Sequence, residues 1–115
     1  MADGFTVTAV GDMILAYPQS QNPDPRFQAV LDLVRDADVA ACNYEGNIID
    51  GRTFTGSGPG GFAGTPEVAN DVKTMGFDIV ARSNNHAGEY GYEGLLETNR
   101  WLDRAGVGNA GSGEK

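Results

Sequence analysis

Histidine and cysteine occur once each in these 115 residues. A lone cysteine, Cys42, excludes an internal disulfide, and its place within an apolar run reads as a buried structural thiol before a reactive one. A lone histidine, His86, limits the chain to one imidazole. No run approaches the roughly 18 consecutive apolar residues of a membrane-crossing helix, and the first residues lack the basic-then-apolar order of a signal peptide. Positive charge is scarce as well: 8 basic against 16 acidic residues leave a net charge of −8. Such a surface repels phosphate backbones and anionic lipid, so neither nucleic acid nor a membrane surface is expected as a partner. It suits cation capture. The length allows one small domain, and 40 % apolar with 21 % charged residues is ordinary for a globular chain. Glycine, by contrast, is abundant at 17 residues, and it gathers between the apolar runs as loop glycine does.

Periodicity then reads as alternating strands and helices. Phe5 to Val10 predicts a first strand running into Gly11-Asp12. A loop from Tyr17 to Asp24 follows, where Pro18, Pro23 and Pro25 exclude regular helix. Phe27, Val30, Leu31 and Val34 recur at i, i+3, i+4 and i+7, which predicts a helix ending near Asp36. Val39 to Cys42 is the second strand, and Gly51 to Gly64 a glycine-rich connection. Thr65-Pro66-Glu67 carries the start signals of a second helix, with Val68, Val72 and Met75 on its buried face and Gly76 as its terminator. Phe77 to Ala81 is a third buried strand. A third helix, Tyr92 to Arg104, buries Leu95, Leu96 and Leu102 and stops at Gly106; Val107 could open a fourth strand. The fold class is therefore α/β, a β-α-β-α-β-α chain with parallel strands and right-handed crossovers. A sheet this thin reads as a partial domain, residues 1–115 being the first half of something larger. It is expected to be marginal or to self-associate.

Each predicted strand delivers polar residues at its C-terminal end, the edge at which open α/β sheets bind ligands. Gly11-Asp12 remains open between a strand-to-loop turn and a ligand position. Asn43 and Glu45 lie two apart and share a side if the second strand persists. A carboxylate beyond an apolar strand needs solvent or a positive partner, and a metal ion is one such partner. Asn84, Asn85 and His86 follow the third strand. An Asn amide oxygen is a metal ligand, so His86 beside two asparagines reads as functional rather than as an ordinary polar residue. Glu89 is placed to hold the imidazole. Asp, Glu, Asn and His on one rim suit a hard or borderline divalent metal and an acid–base group. Gly56-Ser57-Gly58-Pro59-Gly60-Gly61 formally matches a dinucleotide fingerprint, yet it neither follows a strand nor opens a helix. A flap near the site is the better reading.

In order and spacing, Gly11-Asp12, Asn43-Tyr44-Glu45 and Asn84-Asn85-His86 with Gly91 just beyond resemble the poly-γ-glutamate capsule biosynthesis (CapA-type) proteins. These belong to the calcineurin-like metallophosphoesterase superfamily. Gly76-Phe77-Asp78 and Arg104-Ala105-Gly106 carry the resemblance over nearly the whole chain. It implies the N-terminal half of a metallophosphoesterase sandwich, often associated with the cell envelope. It also implies a divalent metal (Mn, Fe, Zn or Mg) held by Asp12, Glu45 and Asn85, and His86 as an uncoordinated acid, with Asn43, Asn84 and Glu89 supporting ligands or substrate. The chemistry implied is phosphoester or γ-glutamyl amide cleavage, on an anionic polymer or a phosphoester. Two positions depart from the pattern. Ile14 stands where classical metallophosphoesterases carry a histidine, and the further histidine ligands that the superfamily takes from its second half are not in this chain. The metal site is therefore expected to be incomplete here and the isolated chain inactive. A non-catalytic binding or assembly member of a polymer-synthesis complex is the second reading, and an unrelated flavodoxin-like domain the third.

Overall fold

The computed structural model describes residues 4–58 and 60–113. Pro59 of the glycine run, and Glu114 and Lys115 at the end of the assigned span, lie outside the described residues. In chain order the elements are β1 (Val7–Met13), α1 (Pro25–Asp36), β2 (Val39–Tyr44), β3 (Asn47–Ile48), β4 (Ala63–Gly64), α2 (Glu67–Thr74), β5 (Ile79–Ala81), α3 (Gly91–Arg104) and β6 (Gly108–Ala110). The fold is α/β. Four parallel strands form a sheet in the order β1-β2-β5-β6, and β3 pairs with β4 in a separate parallel ribbon.

That order determines where the core lies. Each new strand joins on the same side of the last, and right-handed crossovers then place every connecting helix on one face. Leu31 and Val34 of α1, Val68, Ala69 and Val72 of α2 and Leu102 of α3 accordingly share one cluster with Ala40, Cys42, Tyr44 and Val80 of the strands. Burial within it pushes the Cys42 thiol up to about 12, so this cysteine is a structural one. The opposite face carries Val7, Ala9, Ala41, Ile79, Ala81 and Ala110, none of them buried.

The element ends differ from expectation in physically instructive ways. β1 continues through Gly11-Asp12 to Met13, so Asp12 lies within a strand rather than in the loop after it. Pro25 does not exclude helix: it occupies the first turn of α1, where a missing N–H costs nothing, and the Asp24 carboxylate caps by accepting from Arg26 N at 2.8 Å. Within α1, Val30 is 50 % exposed, so the buried stripe is narrower than the periodicity predicts. At α2 the Thr65 side chain is not the cap: Pro66 takes the cap position and no side chain caps it. α3 buries Gly94, Thr98, Asn99 and Leu102, whereas Leu95 and Leu96 are only half-buried. Gly76 and Gly106 end their helices at φ of 109° and 78°, the left-handed region in which glycine is favoured.

Candidate functional site

Because the four strands are parallel, their C-terminal ends share one rim, and three chain segments meet there. The first owes its position to an irregularity. Ala9 pairs with Ala41, but Asp12 pairs with Asn43, so β1 carries one residue more than β2 between these points. This bulge brings Asp12 level with Asn43, where unbroken pairing would have placed Gly11. Asn43 Nδ2 then donates to Asp12 Oδ1 at 2.8 Å, and Asn43 Oδ1 accepts from Asn84 Nδ2 at 3.1 Å. A chain of side-chain bonds thus crosses from β1 through β2 to the segment after β5. Asn84 also donates to the Tyr44 carbonyl at 2.9 Å, and its Oδ1 accepts from the His86 amide at 3.1 Å, which folds the 84–86 turn back onto the rim.

His86 lies between two carboxylates. Its Nε2 is 3.5 Å from Glu45 Oε1, and its Nδ1 hydrogen-bonds Glu89 Oε1. Glu89 Oε2 in turn accepts from the Phe62 amide at 2.8 Å, and the Phe62 ring packs on the imidazole with centroids 4.5 Å apart. The glycine-rich connection therefore closes over His86. At Gly61 a Cβ would collide with the Glu89 carboxylate, so a side chain there would displace that carboxylate from its place beside Phe62 and His86.

Asp12 and Glu45 influence each other's ionisation in opposite directions. The Asn43 amide, followed by the Glu45 carboxyl, holds Asp12 below the ordinary carboxylate value. Burial and then the Asp12 charge push Glu45 upward. The two carboxyls are thus shifted in opposite directions, Asp12 favouring the ionised form and Glu45 disfavouring it. Glu89 is held below its ordinary value by His86.

Residues 6–115 match the model of the bacterial capsule synthesis protein PGA_cap family. The chain belongs to that family. The chain is also similar to two Sinorhizobium fredii (strain NBRC 101917 / NGR234) proteins, named uncharacterized protein y4sH and uncharacterized protein y4uA. Each is 41 % identical over 119 aligned positions, covering 99 % of this chain and 26 % of the relative. The chain thus spans about a quarter of the length of the curated relatives it matches.

Within this capsule synthesis family member, Asp12, Asn43, Asn84, Glu45, His86 and Glu89 form one connected group. Asn85 belongs to the same turn but is exposed, and its side chain forms no hydrogen bond among the described residues. Ile14 is 50 % exposed, two residues beyond Asp12. Among the described residues, no three His, Cys, Asp or Glu side chains gather as a cage. Three contributors are absent from the sequence reading. Phe62 and the buried Asn47, which donates to the His86 carbonyl at 2.9 Å, are fixed by tertiary packing alone. Arg82 left a readable signal. Val80 faces inward and Ala81 outward, so a charged residue next in the alternation falls on the core side.

Proposed function

We propose that this rim is the metal-binding half of a metal-dependent hydrolase or transferase of capsule polymer synthesis, acting on phosphoester or γ-glutamyl amide bonds. The observation that carries the reading is the meeting of Asp12, Glu45 and His86 on one rim, with Asp12 held by Asn43 at 2.8 Å and Glu45 at 3.5 Å from His86. Carboxylate oxygens on a shared rim are hard donors that suit Mn²⁺, Fe²⁺, Zn²⁺ or Mg²⁺. Asp12 and Glu45 would hold the metal, with Asn85 adding an amide oxygen. Once bound, the metal supplies Lewis acidity toward a phosphoryl or carbonyl oxygen. The chain supplies the proton chemistry. Glu89 engages His86 Nδ1 and fixes the ring, which leaves Nε2 facing the rim as the atom that protonates a leaving oxygen or nitrogen. Phe62 shields that imidazole from water on one side.

The test separates ligand from acid in the full-length protein. His86→Gln should keep its metal while turnover on a generic phosphodiester and on γ-glutamyl polymer falls by roughly 10²–10⁴. Asn85→Ala should lose metal occupancy. A His86 variant that loses its metal would make the histidine a ligand, and one that keeps full activity would make it structural. The second reading, a metal-binding assembly protein without turnover, is favoured by one feature: Ile14 stands, half-exposed, where a histidine ligand would be needed. Bound metal without turnover on either substrate would select it.

A further inference from the structure

Arg82 has no solvent exposure, and the inward phase of β5 would ordinarily call for an aliphatic residue there. Its Nη1 donates to the Tyr44 carbonyl at 3.0 Å and to the Gly46 carbonyl at 2.6 Å. Those two carbonyls bracket Glu45. Nε and Nη2 are enclosed without a partner, and Arg82 forms no ion pair among the described residues. The nearest aromatic support is the Tyr44 ring, whose centroid lies 5.8 Å from the guanidinium carbon.

A buried cation without a counter-ion is costly, and for stability alone an apolar residue of similar volume is often as good or better. What an apolar residue cannot do is grip two carbonyls across a one-residue gap. The gap matters because Glu45 fills it. Its carboxyl is half-enclosed and lies 3.5 Å from His86 Nε2, so its place depends on how the 44–46 backbone is held. Besides Arg82, the turn is held by Glu45 N to Met13 O at 2.9 Å and by Asn84 Nδ2, which donates to the Tyr44 carbonyl at 2.9 Å, so the Gly46 carbonyl is the one that Arg82 alone grips. Beyond it, Gly46 is pressed against the Phe62 carbonyl at φ 146°.

We infer that Arg82 is a positioning residue: its clamp on the Tyr44 and Gly46 carbonyls fixes the Glu45 carboxylate on the rim. This rests on the metal-site reading above, and it adds a residue that touches neither metal nor substrate. Groups that orient metal ligands from behind typically change affinity by about 10–100-fold when removed. Arg82 would act in that way through backbone rather than through a side chain.

The experiment compares wild type, Arg82→Met, Arg82→Lys and Asp12→Asn in the full-length protein. Mn²⁺ affinity is measured by titration calorimetry, backbone opening by amide hydrogen exchange, and folding by circular dichroism. Arg82→Met should stay folded and bind Mn²⁺ about 10–100-fold more weakly. Its Glu45 and Asn47 amides should exchange at least roughly tenfold faster, with those of α2 unchanged, because only the clamped turn is released. Arg82→Lys keeps the charge and one donor, so it should recover part of both effects. Wild-type affinity together with wild-type exchange in Arg82→Met overturns the inference. So does a uniform rise in exchange across the core, which would make Arg82 a general prop. Should Arg82→Met not fold, Arg82→Lys decides by the same two readouts. If wild type and Asp12→Asn bind Mn²⁺ equally poorly, the metal reading fails, and exchange at residues 45 and 47 alone judges the clamp.

Discussion

The two faces of the sheet are built from alternate residues of the same strands, yet they answer to different constraints. On the helix side Ala40, Cys42, Tyr44 and Val80 are packed to exclusion of water. On the other side Ala41, Ile79, Ala81 and Ala110 form a face that is also apolar but has no layer over it among the described residues. The difference follows from strand order. Because β1, β2, β5 and β6 are laid down sequentially, every crossover helix falls on one side, and the covering of the second side must come from elsewhere. The candidate site lies where the faces meet, with Asn43 at the end of the open face and Arg82 at the end of the closed one.

Charging each face in turn gives the largest contrast. Val80→Asp should abolish folding, since an unpaired carboxylate would be forced into a site that is 1 % exposed. Ile79→Asp, one residue away but 42 % exposed, should leave the circular dichroism spectrum and the cooperative melt in place. If both variants unfold, the open face is covered in the folded chain and the comparison fails.

A smaller effect concerns association. An uncovered apolar face beside an unpaired edge, here β1, favours self-contact. Sedimentation velocity on these 115 residues should show species heavier than the monomer. Ile79→Lys should shift the distribution toward monomer without lowering the melting temperature. A wild type that is monomeric at all concentrations, with a cooperative melt above about 65 °C, would mean that the open face needs no partner.

Much of this was legible in the sequence where a local rule acts without competition. The three helices and the parallel strands follow from apolar periodicity and from glycine at helix ends, whereas the fourth strand, Gly108–Ala110, was only an option opening at Val107 because Gly-Asn-Ala carries no apolar pattern. The site was legible as a set of strand ends, because Asp12, Glu45 and His86 fall near the ends of three apolar runs. Register was not. The bulge that lifts Asp12 level with Asn43 depends on how β1 sits against β2, which no single strand encodes. Nor was the β3–β4 ribbon, since two-residue strands such as Asn47–Ile48 carry no periodic signal and pair only once the loop has folded back. Pro25 shows the remaining kind of miss: the same residue that breaks a helix interior starts one when Asp24 caps it.

The smallest expected effect sharpens the comparison at the point where the loop closes over the rim. Glu89 joins His86 to the Phe62 amide, and its carboxyl is held below the ordinary value of 4.5, chiefly by His86. A depressed folded value means that the native state favours the ionised form. The resulting stabilisation is fully present above the unfolded value and is lost as pH falls through the lower folded one. Glu89→Gln keeps an acceptor for the Phe62 amide but removes the charge, so it should melt below wild type at pH 7. The gap should narrow as pH drops under 4.5 and vanish once wild-type Glu89 is itself protonated. Melting curves of both proteins from pH 7 to pH 3 measure it. A gap that stays constant over that range would mean that Glu89 supports the loop through shape and hydrogen bonding alone, and that its charge does not hold the imidazole.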